Sequence, residues 1–205
     1  MSVAPSIIVG LGNPGSEHAG DRHNVGYWLV DDIASDLGAR FSSDQKLLGE
    51  TCQVSLQQIP LRLLKPATFM NRSGQSVRQA MDYYKVPLER LLIVHDDLDL
   101  PAGTARLKSG GGHGGHNGLR DIIAHCGKDF LRLRIGIGHP GRKEQVVGYV
   151  LRPPGKDELP DIRHALDEAR RAIDMLFAYG LERATTYLHT ATPSKDITED
   201  LGPAG

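Results

Sequence analysis

A histidine backed by a carboxylate can take a proton from water, and in this 205-residue chain His23 and Asp96 would form such a pair if two strand ends bring them together. Apart, His23 would cap a helix and Asp96 sit in a surface ion pair. The carboxylate holds the imidazole in one tautomer and steadies the imidazolium, while the other ring nitrogen accepts the proton. No Gly-x-Ser-x-Gly elbow and no cysteine in a reactive setting accompanies the pair, so it would act on water rather than on a side-chain nucleophile. The chain holds only four asparagines, Asn13, Asn24, Asn71 and Asn117, each beside a loop or an element boundary. A carboxamide offers a donor and an acceptor without charge, which suits the binding of amides and hydroxyls. Asn24 precedes an apolar stretch at helical spacing and reads as a helix cap. The other three would share a cleft with His23 and Asp96 if the strand ends after Val9 and Val94 lie side by side.

Two other chemistries compete for the same residues. His113 and His116, with His95, Asp96 and Asp97, could be metal ligands, but His-Gly-Gly-His has no helix to fix both imidazoles on one face. The expectation is no metal. The stretch GLGNPG, Gly10 to Gly15, matches the dinucleotide fingerprint and follows a strand-like run. In that fold a helix opens within the glycines so that its amides meet the pyrophosphate. Here SEHAGDRH intervenes and Pro14 removes an amide, so no nucleotide cofactor is expected.

The elements that must position these residues follow from periodicity. Ser6 to Val9 reads as a buried strand, and Val25, Trp28, Leu29, Ile33 and Leu37 recur at helical spacing with Gly38 as the stop. Lys46 to Leu56 and Leu61 to Leu64 read as a hairpin, followed by a helix over Ser73 to Tyr84. Leu91 to Val94 is a strand running into His95, Asp96 and Asp97. Thr104 to Lys108 reads as an edge strand, Leu119 to His125 as a helix begun near Asn117, and Phe130 to Ile137 as a strand. Leu159, Ile162, Leu166, Ile173, Leu176 and Phe177 mark a long amphipathic helix. This order predicts an α/β fold, a single globular domain of a twisted mixed sheet flanked by helices, over residues 1 to 190. Residues 191 to 205 are polar and end in Gly and Pro, the composition of a flexible tail.

Composition narrows the class. No run approaches the roughly 18 apolar residues of a membrane helix, and no basic region followed by an apolar block opens the chain, so the expected location is cytoplasmic. Two cysteines without a CxxC argue against a disulfide scaffold. Sixteen of the 24 glycines fall in residues 10 to 26, 103 to 118 and 136 to 148, the pattern of shaped loops. The net charge of −1 hides a basic middle: residues 103 to 152 carry nine Lys and Arg against three Asp and Glu. Such a segment suits phosphate contact with a folded RNA, and the few aromatics nearby offer no base-stacking platform.

Four stretches, IVGLGNPGSEHAGDRHNVG, LLKPATFMNRSGQSV, IVHDDLDLPAGTARLKSGGGHGGHNGLRDI and RLRIGIGHPG, resemble the bacterial peptidyl-tRNA hydrolase family in order, from about Ile7 to Tyr187. The resemblance implies a monomeric, cofactor-free esterase that cleaves the bond between a peptide and the 3′-terminal ribose of tRNA. By motif position it makes His23 the general base, Asp96 its orienting partner and Asn13 a catalytic-site asparagine. Asn71 and Asn117 would bind substrate and position the water, with Met70 and His116 lining the same cleft. Gly110 to Gly115 resembles a mobile loop and Pro140 to Val150 a lid region. The leading candidates for tRNA phosphates are Arg106, Lys108 and Arg134.

The chain departs from the family's first motif at two places. His18 stands where Tyr is usual, five residues before His23, and Asp21 stands where Thr is common, placing a titratable ring beside the substrate. The rival expectation is a catalytically silent RNA-binding relative that serves as a splicing or assembly factor. The joint presence of His23, Asp96 and the three asparagines favours the enzyme.

Overall fold

The structure is a computed structural model that describes residues 4 to 191. Its centre is β1 (Ile7–Gly10), flanked in parallel by β4 (Ile59–Pro66) and β5 (Leu91–Asp97). Outward from β4 run β3 (Gly49–Leu56) and β2 (Ser42–Asp44), both antiparallel. Beyond β5 lie β7 (Leu131–Gly136), parallel, and β6 (Ala105–Ser109), antiparallel at the edge. The mixed sheet and the edge position read from sequence are both present. β1 and the first four residues of β5 are apolar throughout apart from Gly10, because parallel central strands are covered on both faces.

Each face carries its own core. On one side Ile8, Leu63, Leu92, Val94 and Leu133 meet α1 (Val25–Asp36), α5 (Leu159–Tyr179) and α6 (Leu181–Thr190). On the other, Ile7, Val9, Leu64 and Ile93 meet α2 (Ser73–Tyr84) and α3 (Asn117–Cys126). Since β1 hands the chain to one face and β4 to the other, a crevice opens at the carboxyl ends of β1, β4 and β5. Ile7 pairs with Leu91 and Gly10 with Val94, and the Leu11 amide still bonds to the Val94 carbonyl at 2.9 Å. The strand ends that had to be neighbours are neighbours.

The glycines of GLGNPG are explained by packing. A Cβ on Gly10 would stand 2.2 Å from the Gly26 carbonyl oxygen, and one on Gly26 2.4 Å from the Leu11 nitrogen. The end of β1 and the start of α1 therefore cross backbone to backbone, which only glycine permits.

Three features differ from the sequence reading. A short strand, β2, precedes the hairpin. The five-residue α4 (Val146–Val150) lies within the lid-like segment. Gly180, at φ +87°, ends α5 so that α6 turns back onto β6. Only Ala184 and Leu188 of α6 are buried, too sparse a stripe to announce a helix. The tail expectation for 191 to 205 falls, apart from Ala191, outside the described residues.

Candidate active site

The crevice is a cleft of about 880 Å³. Asn13 enters it from the loop after β1, and His18 and His23 from the two turns that follow. Met70 and Asn71 come from the turn Met70–Arg72 after β4, Asp96 from the end of β5, and His116 and Asn117 from the start of α3. Eight residues read as catalytic or substrate-binding thus line one space, although they span more than a hundred positions of sequence. Lys108 and Arg134 line its far edge with Arg132. Arg106 does not reach it: its guanidinium donates to the Leu188 carbonyl at 2.7 Å and holds α6 to the sheet.

At the floor, His23 Nδ1 lies 2.8 and 2.9 Å from the two oxygens of Asp96, which is 3% exposed. Burial by itself would raise the Asp96 pKa. The His23 and His116 imidazoles more than offset that and hold it well below the usual carboxylate range. Asp96 is therefore ionised, His23 donates from Nδ1, and Nε2 is the nitrogen left for chemistry. Burial likewise works against the His23 imidazolium, but Asp96 and, more weakly, Asp21 overcome it and raise the His23 pKa above its ordinary value.

His116 has its protons fixed by the helix that it starts. As the cap of α3 its Nδ1 accepts from the Gly118 and Leu119 amides, at 3.2 and 3.3 Å. Its proton therefore sits on Nε2, which donates to Asp96 Oδ1 at 2.9 Å. His95 completes a stack of three imidazoles, its ring centroid 5.2 Å from that of His116, which in turn is 4.9 Å from that of His23. Burial, helped by His116, lowers the His95 pKa to about 4, so it stays neutral. These bonds account for the close grouping of His23, Asp96 and His116, whose ligand atoms lie within 4.8 Å of one another. His113, part of the metal reading, is turned instead to the Gly115 amide.

Asn24 corrects the sequence reading. It occupies the cap position of α1, but its side chain makes no capping bond. It accepts from the Asn13 amide and donates to the Asn13 carbonyl, both at 2.9 Å, and so locks the Asn13 backbone. Asn13 Oδ1 in turn accepts from the Met70 amide at 2.8 Å, which fixes the orientation of the carboxamide and leaves Nδ2 as the free donor. Gly118 packs beside this pair, and a Cβ there would stand 2.6 Å from Met70 Sδ and push that flexible side chain aside. Asn71 and Asn117 are exposed at the cleft edge.

The two departures from the family motif face each other, His18 Nδ1 lying 2.9 Å from Asp21 Oδ2. Arg132 is a site residue that sequence reasoning passed over as one basic residue among several. Buried on β7, it donates to the carbonyls of Gly111 and Gly112 and so anchors the glycine loop that leads to His116. Its alternation with Leu131 and Leu133 was the available signal. Arg134 is paired with Asp97 at 2.7 Å.

Comparison with known proteins identifies the family. A family model described as peptidyl-tRNA hydrolase matches residues 7 to 196. The peptidyl-tRNA hydrolase of Halorhodospira halophila is 48% identical over 184 residues, covering 89% of this chain and 95% of that protein. That of Salmonella typhimurium is 48% identical over 190 residues, covering 92% and 98%. The crystal structure of the Acinetobacter baumannii enzyme superposes with a TM-score of 0.90 at 46% identity, covering 93% of this chain and 97% of that one. Sequence and fold meet in one conclusion: the chain belongs to the peptidyl-tRNA hydrolase family and is an ester hydrolase acting on peptidyl-tRNA.

Proposed function

We propose that His23 is the general base that activates water against the ester between the peptide carboxyl and the 3′-terminal ribose. The observation that carries this is the placement of His23 Nδ1 against both Asp96 oxygens, which reserves Nε2 for a proton. Water gives that proton to Nε2 as its oxygen attacks the ester carbonyl carbon, and the resulting oxyanion is met by neutral amide donors. Asn13 Nδ2 is the donor whose direction the Met70 contact supports. Collapse breaks the carbonyl–O3′ bond, the imidazolium returns the proton to the leaving oxygen, and tRNA departs from the free peptide acid. His116 positions Asp96 from the other side.

Asn71, Asn117, Met70 and His18 form the substrate walls. Exposed carboxamides match peptide amide groups, whereas a free α-ammonium would have to shed its water where an amide belongs, so an N-blocked substrate is preferred. Lys108 and Arg134 hold tRNA phosphates without reading sequence, which suits an enzyme that accepts many tRNAs. Arg106, the third phosphate candidate, lies outside the cleft and has Nη1 bonded to the Ala105 and Leu188 carbonyls. The reading includes a monomer that works in the cytoplasm without a cofactor, in line with the family resemblance.

The test is release of free tRNA from an N-blocked aminoacyl-tRNA, with and without chelator. Turnover should be indifferent to the chelator. His23→Ala should abolish cleavage while fold and tRNA affinity stay near those of the parent. Parental turnover in that variant would remove His23 from the role of base, and loss of turnover with chelator would point to a metal.

A further inference from the structure

The residue before the base is bound to a distant part of the chain. Arg22 Nη1 donates to the carbonyls of Tyr149 and Arg152, at 3.1 and 3.2 Å, and its backbone amide donates to the Arg152 carbonyl at 3.1 Å. Nη2 pairs with Glu158. The guanidinium also lies over the Tyr149 ring, with Cζ 3.9 Å from the centroid. Tyr149 Oη is 2.6 Å from the Ile137 carbonyl and 3.1 Å from Glu158 Oε1, and Glu158 Oε2 accepts from the Gly155 amide at 2.7 Å. Arg22 is 6% exposed, and although its Nε is buried without a partner, these contacts meet the buried charge through both Nη atoms. Burial would raise the Glu158 pKa, but the Gly155 amide and Arg22 override it and hold the carboxyl below its ordinary range.

The two segments so joined are not equivalent surfaces. One is the turn Arg22–Asn24, which carries His23 and the asparagine that locks Asn13. The other contains α4 and Leu151, and Val146, Val147, Val150 and Leu151 form the apolar wall of the cleft. Arg22 is the one side chain that bonds to both the wall segment and Glu158 from the turn bearing the base. A fork that makes several directional bonds and a stacking contact fixes position far better than a point charge could.

We propose that Arg22 is a positioning residue for the hydrolysis, setting His23 relative to the Val147–Leu151 wall so that the ester is held in reach of the activated water. The proposal rests on His23 being the base. A misplacement of about 1 Å can cost on the order of a hundredfold in rate, so the effect belongs in kcat rather than in tRNA affinity.

The experiment compares Arg22→Gln, Arg22→Lys, Glu158→Gln and Tyr149→Phe with the parent in N-acetyl-aminoacyl-tRNA cleavage. Thermal melting and the affinity for deacylated tRNA are measured alongside. Arg22→Gln should lower kcat at least tenfold per folded molecule, with tRNA affinity within twofold, and Arg22→Lys should recover only part of the loss. Glu158→Gln should lower kcat about threefold, and the double variant with Arg22→Gln should be no slower than Arg22→Gln alone. A kcat within twofold of the parent in folded Arg22→Gln would overturn the proposal. Should that variant not fold, unchanged kcat in both Glu158→Gln and Tyr149→Phe would overturn it equally. His23→Ala run in parallel separates the two failures: an active His23→Ala removes the base, whereas an inactive one beside a parental Arg22→Gln removes only the clamp.

Discussion

Asp96 Oδ1 receives a proton donor from each of two imidazoles, and that sharing decides what each ring can do. His116 spends its other nitrogen on a helix start, so of the two only His23 retains a free site. A base must be unprotonated to work, and the His23 pKa is raised above 6.5 by Asp96 and, less, by Asp21. The acid limb of kcat/KM should therefore fall above pH 6.5, with activity lost as pH drops through it. Asp21→Asn removes one raising charge and should move that limb to lower pH while leaving the plateau in place, which a pH–rate profile would record. The candidates His23, Asp96 and Asn13 were legible because each residue type announces its chemistry. Asn24 was not, since a carboxamide before a helix has the same local sequence whether it caps the helix or braces a neighbouring loop.

Among the elements, β1 and α1 are held at a separation that no side chain can enter. Gly26→Ala would put a methyl group 2.4 to 2.6 Å from Leu11 and Val94 backbone atoms. Overpacking of this kind costs about 1 to 3 kcal/mol or more, which for a chain of this size is a melting-temperature drop of roughly 2 to 4 °C per kcal/mol. A thermal melt near the parental value would show that the crossing can relax. Strand positions were legible where a short apolar run ends at a turn, as in β1 and β5, and helix positions where an apolar stripe recurs over several turns, as in α1 and α5. α6 was not, because its burial comes from Ala184 and Leu188 alone and its direction from the left-handed turn at Gly180. The glycine windows were visible in sequence, but whether a glycine serves a turn or a close approach depends on what crosses it.

At the scale of the molecule, four of the nine cations of the basic stretch lie on the adjacent strands β6 and β7 and have different duties. Arg132 secures the glycine loop, Arg106 bonds to α6, Arg134 lines the cleft while paired with Asp97, and Lys108 stands exposed at the cleft edge. Lys108→Ala should weaken tRNA binding and reduce the slope of log affinity against log salt by about 1, measured by titration at several ionic strengths. Arg106→Ala should instead lower the melting temperature with that slope unchanged. An altered slope in Arg106→Ala would return it to the phosphate face. Net charge by segment was readable from the sequence, whereas the division of labour was not, because it depends on which carbonyl each guanidinium finds. Along the chain the signs are segregated, residues 103 to 152 carrying a net +6 against −7 for the remainder, and Lys108 of that segment stands exposed at the cleft edge. A nearly neutral protein can thus still present local positive charge to a polyanion. Such a charge attracts a polyanion before contact forms, so added salt should slow capture more than it slows turnover.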